Sequence, residues 1–314
     1  MKKSDDLERR RKFFFGEADV DTYDVSADMH THRYSQMHEV LIDLLRRDAQ
    51  SGKTTGTVSY AVLDIGSGTG AGTLSVLSAI PRSVVVAVDL CAPMHERHRE
   101  KLTRRYGKLS WSKRCALVES DILGPLASPK ALLRHLDGLK SSAKFDAVIS
   151  ALTLHHLKPG EKRRLYKRIH EMLTPNGIFV NADLFTFDSE TLGKAGEVVL
   201  CDWIAHQFSD PDPRFRSAVA KLGARVKMLG EKWIAHVQRD NIPLPIERAL
   251  TSKTDSGKSG RRTAASETEL LRSTGFSEIG CPFRYWEVAV LWAKKTPNPG
   301  IVAPNSRRTL NAQN

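Results

Sequence analysis

The sequence predicts an α/β fold, a parallel sheet covered by helices on both faces, on three observations. From residue 60 onward, short β-rich runs alternate with helical patterns, as a chain of strand–helix crossovers does. The first run leads straight into a glycine-rich turn, LDIGSGTGAG, that opens a helix. The last two β-rich runs, SEIGCPFRYW and EVAVLWAKK, lie close enough to pair as a hairpin and so add an antiparallel strand.

An N-terminal helix carries Tyr34, Met37, Leu41, Leu44 and Leu45 on one face. Tyr60 to Ile65 reads as the first strand, Ala71 to Ile80 as a helix and Val84 to Asp89 as the second strand, with Pro93 near the start of the next helix. Cys115 to Glu119 and Phe145 to Ser150 are the third and fourth strands, with a helix over Ala131 to Leu139 between them. Leu165, Ile169, Met172 and Leu173 share a helical face; Pro175, Asn176 and Gly177 break that helix, and GIFVNADLF is the fifth strand. After Phe185 the alternation gives way to LGKAGEVVLCDWIAHQF and RFRSAVAKLGARVKMLGEKWIAHVQRD, both helical in pattern, and then to a polar loop, TSKTDSGKSGRRTAASE. A short helix, ETELLRSTGF, precedes the hairpin. The expected organisation is an N-terminal helical segment over 1–55, a main domain over 56–295 with a helical insertion at 186–265, and a disordered tail over 296–314.

A chain of 314 residues, 40% hydrophobic, buries a core without metals or disulfides, and its four cysteines (Cys91, Cys115, Cys201, Cys281) form no CxxC pair. The start lacks an apolar stretch and no apolar run approaches the roughly 20 residues of a membrane span, so the expectation is a soluble cytoplasmic protein. The net charge of +12 invites a nucleic-acid reading. The excess falls at 101–150 and 251–314, whereas 1–50 carries 9 basic and 11 acidic residues, which fits a solvated surface with basic flexible segments equally well.

The chemistry is carried by LDIGSGTGAG. Asp64, Gly66, Gly68 and Gly70 give D-x-G-x-G-x-G between a strand and a helix, where glycines let the backbone turn sharply and approach a ligand. Asp89 follows at the end of the second strand, placed for a carboxylate to accept from a ribose diol. Gly66, Gly68 and Ala71 also satisfy the loose dinucleotide fingerprint, so two cofactors compete. Asp64 favours S-adenosylmethionine, since it suits the ammonium of the methionine moiety and would repel a pyrophosphate. ESDIL adds Asp121 for an adenine amino group and Ile122 for the ring.

On LDIGSGTG, Asp89, ESDIL, FDAVISALTLHHL and LTPNGIFVNADLF, the sequence resembles the class I S-adenosylmethionine-dependent methyltransferases, in particular the small-molecule type with a single domain. The resemblance covers roughly 60–185 and 266–295. It implies a Rossmann-like, doubly wound, seven-stranded sheet with an antiparallel last strand. The cofactor would lie across the carboxyl ends of the first strands, against Asp64, Gly66, Ser67, Gly68, Gly70, Asp89, Leu90, Asp121 and Ile122.

Methyl transfer asks mainly that the acceptor be held in line in a dry pocket, with a base only where the acceptor bears a proton. His155 and His156 follow the fourth strand where an acceptor approaches, and one of them is a candidate base; the bland reading, that one packs and the other lines the cofactor, is favoured. Asn181 and Asp183 end the fifth strand and face the same crevice by topology. Trp203, His206 and Trp233, with Phe208 and His236, are candidates for a lid over a planar acceptor. Tyr23, Arg33 and Tyr34 are placed to close over the cofactor carboxylate, with Arg33 as its ion pair. His30, His32 and His38 lack metal-ligand spacing and read as a solvated helix start, so no metal is expected.

The leading functional expectation is transfer of a methyl group from S-adenosylmethionine to an O, N or C atom of a small molecule. RNA methylation is the runner-up. SALTLHHL lacks the Asp/Asn-Pro-Pro-aromatic motif that holds a flipped base, and no cysteine stands there for covalent attack on a pyrimidine. A non-catalytic cofactor-binding module is the third reading. No membrane partner is expected, and the oligomeric state is left open.

Overall fold

The computed structural model describes residues 20, 23, 24, 27, 28, 31–53, 59–139, 143–209 and 262–296. The described chain begins with α1 (Tyr34–Asp48), which runs into a π turn at Ala49–Lys53. β1 (Tyr60–Ile65), α2 (Ala71–Ala79), β2 (Ser83–Asp89), α3 (Ala92–Tyr106), α4 (Lys108–Trp111) and β3 (Cys115–Glu119) follow. Then come α5 (Pro129–Gly138), β4 (Phe145–Ala151), α6 (Pro159–Met172), β5 (Leu173–Leu184) and α7 (Glu190–Ser209). α8 (Ala264–Arg272), β6 (Glu278–Tyr285) and β7 (Val288–Lys294) close the fold.

The seven strands form one sheet in the order β3-β2-β1-β4-β5-β7-β6. β1 to β5 are parallel, and β7 runs antiparallel to both neighbours. Every residue of β1 is buried because helices cover both faces, which is why the parallel strands read as continuous apolar runs. Alternation within β1 sends Ala61, Leu63 and Ile65 to the face packed by α5, α6 and α8, and Tyr60 and Val62 to the face packed by α1 and α2. The order reverses between β1 and β4, and a crevice opens there outside the strands' carboxyl ends.

One boundary departs from expectation. Thr174 to Gly177 does not separate helix from strand, since α6 ends at Met172 and β5 starts at Leu173. Asn176 adopts φ 64° and donates its N–H to the Lys295 carbonyl at 2.8 Å, so the turn-forming residues are absorbed as an irregularity where the register against β4 shifts. At the other end of β5, Thr186 and Thr263 form a parallel bridge and the Thr186 N–H donates to the Arg262 carbonyl at 3.0 Å. The chain leaving β5 and the chain entering α8 therefore lie side by side. The second helical pattern of the insertion, the polar loop up to residue 261 and the tail from 297 lie outside the described residues.

A charged network is buried under this junction. Glu267 of α8 is fully buried and accepts from Lys162 Nζ of α6 at 3.2 Å and from the Tyr166 hydroxyl, with the Arg262 guanidinium 3.3 Å away. Lys162 and Tyr166 each donate to the carboxylate and Arg262 adds a nearby opposite charge, as burial of charge demands. No helix among the described residues is long and apolar enough to cross a membrane.

Candidate functional site

The glycine turn is built by crowding as well as by backbone geometry. Gly66, Gly68 and Gly70 have φ of 66°, 50° and 90°, in the left-handed region. A Cβ on Gly66 would stand 2.2 Å from Thr153, and one on Gly70 2.2 Å from the His98 ring. A Cβ on Gly68 would meet nothing nearer than the Tyr23 ring at 4.0 Å, so it would project into the open cleft. Gly66 and Gly70 thus serve the fold, and Gly68 leaves room for a ligand. Gly70 lines neither of the compartments described next.

Two compartments meet at this turn and share Tyr23, Gly66, Gly68 and Leu152. The first is mainly apolar, with Val88, Leu90, Met94, Ile122 and Leu157 around the carboxylate of Asp89, and Asp121 and His156 at its edge. The second holds Asp64, Ser67, Tyr34 and His38. Leu152 separates them at φ 49°, a costly conformation for a residue with a side chain, held by its N–H donating to the Ala182 carbonyl at 2.9 Å.

Asp89 accepts from the N–H of Gly68 and of Cys91, both at 2.8 Å, which ties the glycine turn to the end of β2. A carboxylate has about four lone-pair sites, so positions remain for a ribose diol. Burial raises the pKa of Asp89, opposed by the backbone N–H groups of Cys91, Gly68 and Leu90. Asp64 is buried and accepts from the Thr73 hydroxyl at 2.7 Å, so it also caps the first turn of α2; burial raises its pKa to about 6. Asp121 accepts from the Leu123 N–H at 2.9 Å and turns the chain so that Ile122 lines the apolar compartment.

These residues fit an adenosyl sulfonium cofactor. The open space over Gly68, an apolar slot for a base beside Asp89, and a buried carboxylate for an ammonium at the far end match its three parts in order.

Residues 63–179 match the family model described as a methyltransferase domain. Residues 63–179 thus carry a methyltransferase domain of the S-adenosylmethionine-dependent kind. Among curated proteins, the chain is 29% identical over 154 residues to carboxy-S-adenosyl-L-methionine synthase of Pasteurella multocida (strain Pm70), which covers 48% of this chain and 54% of that protein. A protein of the same name from Glaesserella parasuis serovar 5 is 28% identical over 135 residues, 42% of this chain and 48% of its own. The chain thus spans about half the length of the curated relatives it matches. Among solved structures, an O-methyltransferase family protein from Burkholderia thailandensis shares the fold at a TM-score of 0.52 and 13% identity, covering 92% of this chain and 63% of that one. Magnesium protoporphyrin IX methyltransferase from Synechocystis PCC 6803, with bound SAH, does so at 0.50 and 14%, covering 93% and 100%.

The remaining sequence candidates separate. His155 is buried and held by Asp183, with Nδ1 2.5 Å from Oδ1 and its own N–H donating to Oδ2 at 2.9 Å; it lines neither compartment. Burial alone would raise the Asp183 pKa, but the His155 charge and hydrogen bond bring it below the ordinary value. His156 lines the first compartment, its ring 3.8 Å from that of His155. Asn181 is buried, and its carboxamide finds no hydrogen-bond partner. Asn181 and Asp183 line neither compartment, because β-strand alternation puts them on the face of Phe179, toward α6 and α8.

Arg33 is exposed and its guanidinium lies 5.0 Å from the centre of the Tyr285 ring, away from the compartment lining. Tyr23 and Tyr34, expected beside it, do line the second compartment. Trp203 is half-buried against His32, His206 is exposed, and Trp233 lies outside the described residues, as do Phe208's side chain and His236. The reading of the early histidines as a solvated helix start is corrected: His32 is buried, and His38 lines the second compartment with no partner for either ring nitrogen. Thr153 and His98 escaped sequence reasoning because they fill the space the glycines leave, and Leu152 because it borders both compartments, neither of which a local pattern announces.

Proposed function

We propose that the chain transfers the methyl group of S-adenosylmethionine to a small-molecule acceptor. The observation that carries this reading is the pair of compartments joined at Gly66 and Gly68, one apolar around Asp89 and one polar around Asp64. The cofactor supplies a methyl group made electrophilic by the attached sulfonium. Asp89 holds the ribose, Val88, Leu90, Met94 and Ile122 enclose the base with Asp121 at its edge, and Asp64 meets the ammonium. Ser67, Gly68 and Gly70 shape the backbone beneath, and the apolar lining keeps water from the reacting centre. His156 lines the first compartment, while His155 and Asp183 anchor the loop that carries it.

The test is calorimetric titration of the full chain with S-adenosylmethionine, S-adenosylhomocysteine and NAD, followed by labelled-methyl transfer to small acceptors and to bulk tRNA. Binding of the adenosyl ligands alone, with label appearing on small acceptors, is expected. Label on RNA, with affinity falling steeply as salt rises, would replace the acceptor class, and binding without turnover on any acceptor would favour a non-catalytic module.

A further inference from the structure

We propose that His32, Glu287 and Trp203 form a binding site for the acceptor's hydroxyl group, and that the acceptor is a hydroxylated aromatic molecule; this rests on the methyl-transfer reading above. Three distant segments build the site. His32 precedes α1, Trp203 belongs to α7, and Glu287 sits in the turn between β6 and β7. His32 and Glu287 are 2% and 6% exposed, and His32 Nδ1 lies 3.0 Å from Glu287 Oε1. The Glu287 backbone is fixed as well, its carbonyl accepting from the Phe185 N–H at 2.6 Å. The His32 ring lies 5.4 Å from the Trp203 ring and 5.6 Å from that of Tyr285, centre to centre.

A carboxylate on Nδ1 takes the ring's proton to that side, which leaves Nε2 as a lone-pair acceptor. His32 Nε2 is buried and has no hydrogen-bond partner, and neither has the buried Trp203 Nε1. Nε2 needs a donor, and the indole N–H needs an acceptor. One hydroxyl answers both, donating its proton to Nε2 while its oxygen accepts from Nε1. A carbonyl or carboxylate answers only the indole, and an amide N–H only the imidazole. The indole and phenol walls favour a flat ring behind that hydroxyl.

The position suits an acceptor. Leu184 pairs with Val288, so Glu287 lies at the carboxyl end of β5. Leu152, which borders both cofactor compartments, follows β4. β4 and β7 are two places apart in the sheet, or about 10 Å at the usual strand spacing.

The test uses the full chain saturated with S-adenosylhomocysteine and follows the imidazole nitrogens of His32 and the indole N–H of Trp203 by nitrogen-15 NMR. Phenol is the probe, and anisole, which keeps the ring and oxygen without the proton, is the control. Phenol is expected to shift both signals saturably and anisole to leave them in place. His32→Ala and Trp203→Phe should each weaken phenol about tenfold or more with S-adenosylhomocysteine affinity unchanged, and His32→Gln serves if the alanine variant does not fold. Glu287→Gln should move the tautomer signature of His32 in the phenol-free protein, which mere packing would not do. Wild-type signals indifferent to phenol, or phenol binding equally to wild type and variants, would overturn the proposal and leave a buried water as the group that satisfies the pair. Loss of S-adenosylhomocysteine binding in the wild type would instead overturn the methyl-transfer reading.

Discussion

The two halves of the crevice are made in different ways. On the side of β1 to β3, the crevice lining comes from adjacent strand ends and turns, with Gly66 to Thr69, Asp89 to Cys91 and Ser120 to Ile122 at the carboxyl ends of their strands. Its polar groups are already tied to backbone N–H groups, as Asp89 is to Gly68 and Cys91. On the side of β5 and β7, the groups arrive from the N-terminal segment, α7 and the β6–β7 turn, and His32 and Glu287 stand 255 residues apart. There the buried His32 Nε2, Trp203 Nε1 and Asn181 carboxamide lack partners. The first side is a cradle whose carboxylates are tied to nearby backbone, with unpartnered nitrogens, among the described residues, on the rings of His38 and His98 that pack around it. The second is held together by long-range contacts and keeps polar groups in reserve.

If that contrast is right, the second side depends most on its buried charge. Glu267 accepts from Lys162 and Tyr166 and faces the Arg262 guanidinium beside the point where the chain leaves β5 and re-enters α8. Glu267→Ala strands the buried Lys162 ammonium, and is expected to cost about 3–5 kcal/mol in urea unfolding, the usual penalty for an uncompensated buried charge. Next in size is the cradle itself. Gly66→Ala adds left-handed strain of about 1–2 kcal/mol and overpacking against Thr153 of about 1–3 kcal/mol, so a loss near 3 kcal/mol is expected along with cofactor binding. Gly68→Ala should separate the two effects. Its Cβ meets no close neighbour, so stability falls only by the strain, about 1–2 kcal/mol, while S-adenosylhomocysteine is excluded. Equal melting temperatures for the Gly66 and Gly68 variants would break the distinction between folding and ligand glycines.

The same contrast governs what the sequence discloses. D-x-G-x-G-x-G, Asp89 and ESDIL are short-range patterns, and the strands that present them are short apolar runs, those of β1 and β2 buried on both faces, so strands β1 to β4 and most of the cradle are legible by eye. The His32–Glu287 pair carries no local signature: an isolated histidine before a helix looks the same whether it meets water or a carboxylate from the far end of the chain. Asn181 and Asp183 illustrate a nearer limit. Their place at the end of β5 is evident, but the strand's two faces lead to different cores, and only the register against β7 and the His155 contact assign them to the α6–α8 side. Thr174 to Gly177 shows that Pro-Asn-Gly punctuation bends to a sheet edge when β4 and Lys295 supply partners.

A smaller effect sharpens the account of the cradle's polar end. Burial holds the Asp64 pKa near 6, above the ordinary carboxyl value, so the free protein loses the ionised form as pH falls below 6. The direction for stability is the reverse of a salt-bridged carboxylate. This group alone disfavours the fold at neutral pH and relieves that cost as pH falls from about 6 toward 3.8. An ammonium ligand requires the ionised form, so S-adenosylhomocysteine should bind with constant affinity above pH 6 and weaken by up to about tenfold per unit below it. 5′-Methylthioadenosine lacks the ammonium of the amino-acid moiety and should lack that slope. Parallel profiles for the two ligands would remove Asp64 from the ammonium.

The smallest expected effect tests where the two sides divide. Arg33 follows His32 and sits at φ 55°, with its guanidinium over Tyr285, so it belongs by geometry to the second side. An exposed cation on an aromatic ring is worth about 0.5–1 kcal/mol. Arg33→Ala is therefore expected to lower stability by no more than that and to leave S-adenosylhomocysteine affinity unchanged in calorimetry, even though Tyr23 and Tyr34 from the same segment line the cofactor compartment. A large fall in affinity would give the guanidinium to the cofactor carboxylate after all. The N-terminal segment would then have to shift Arg33 from Tyr285 to the ligand on binding, and the boundary between the halves would run through that residue instead of beside it.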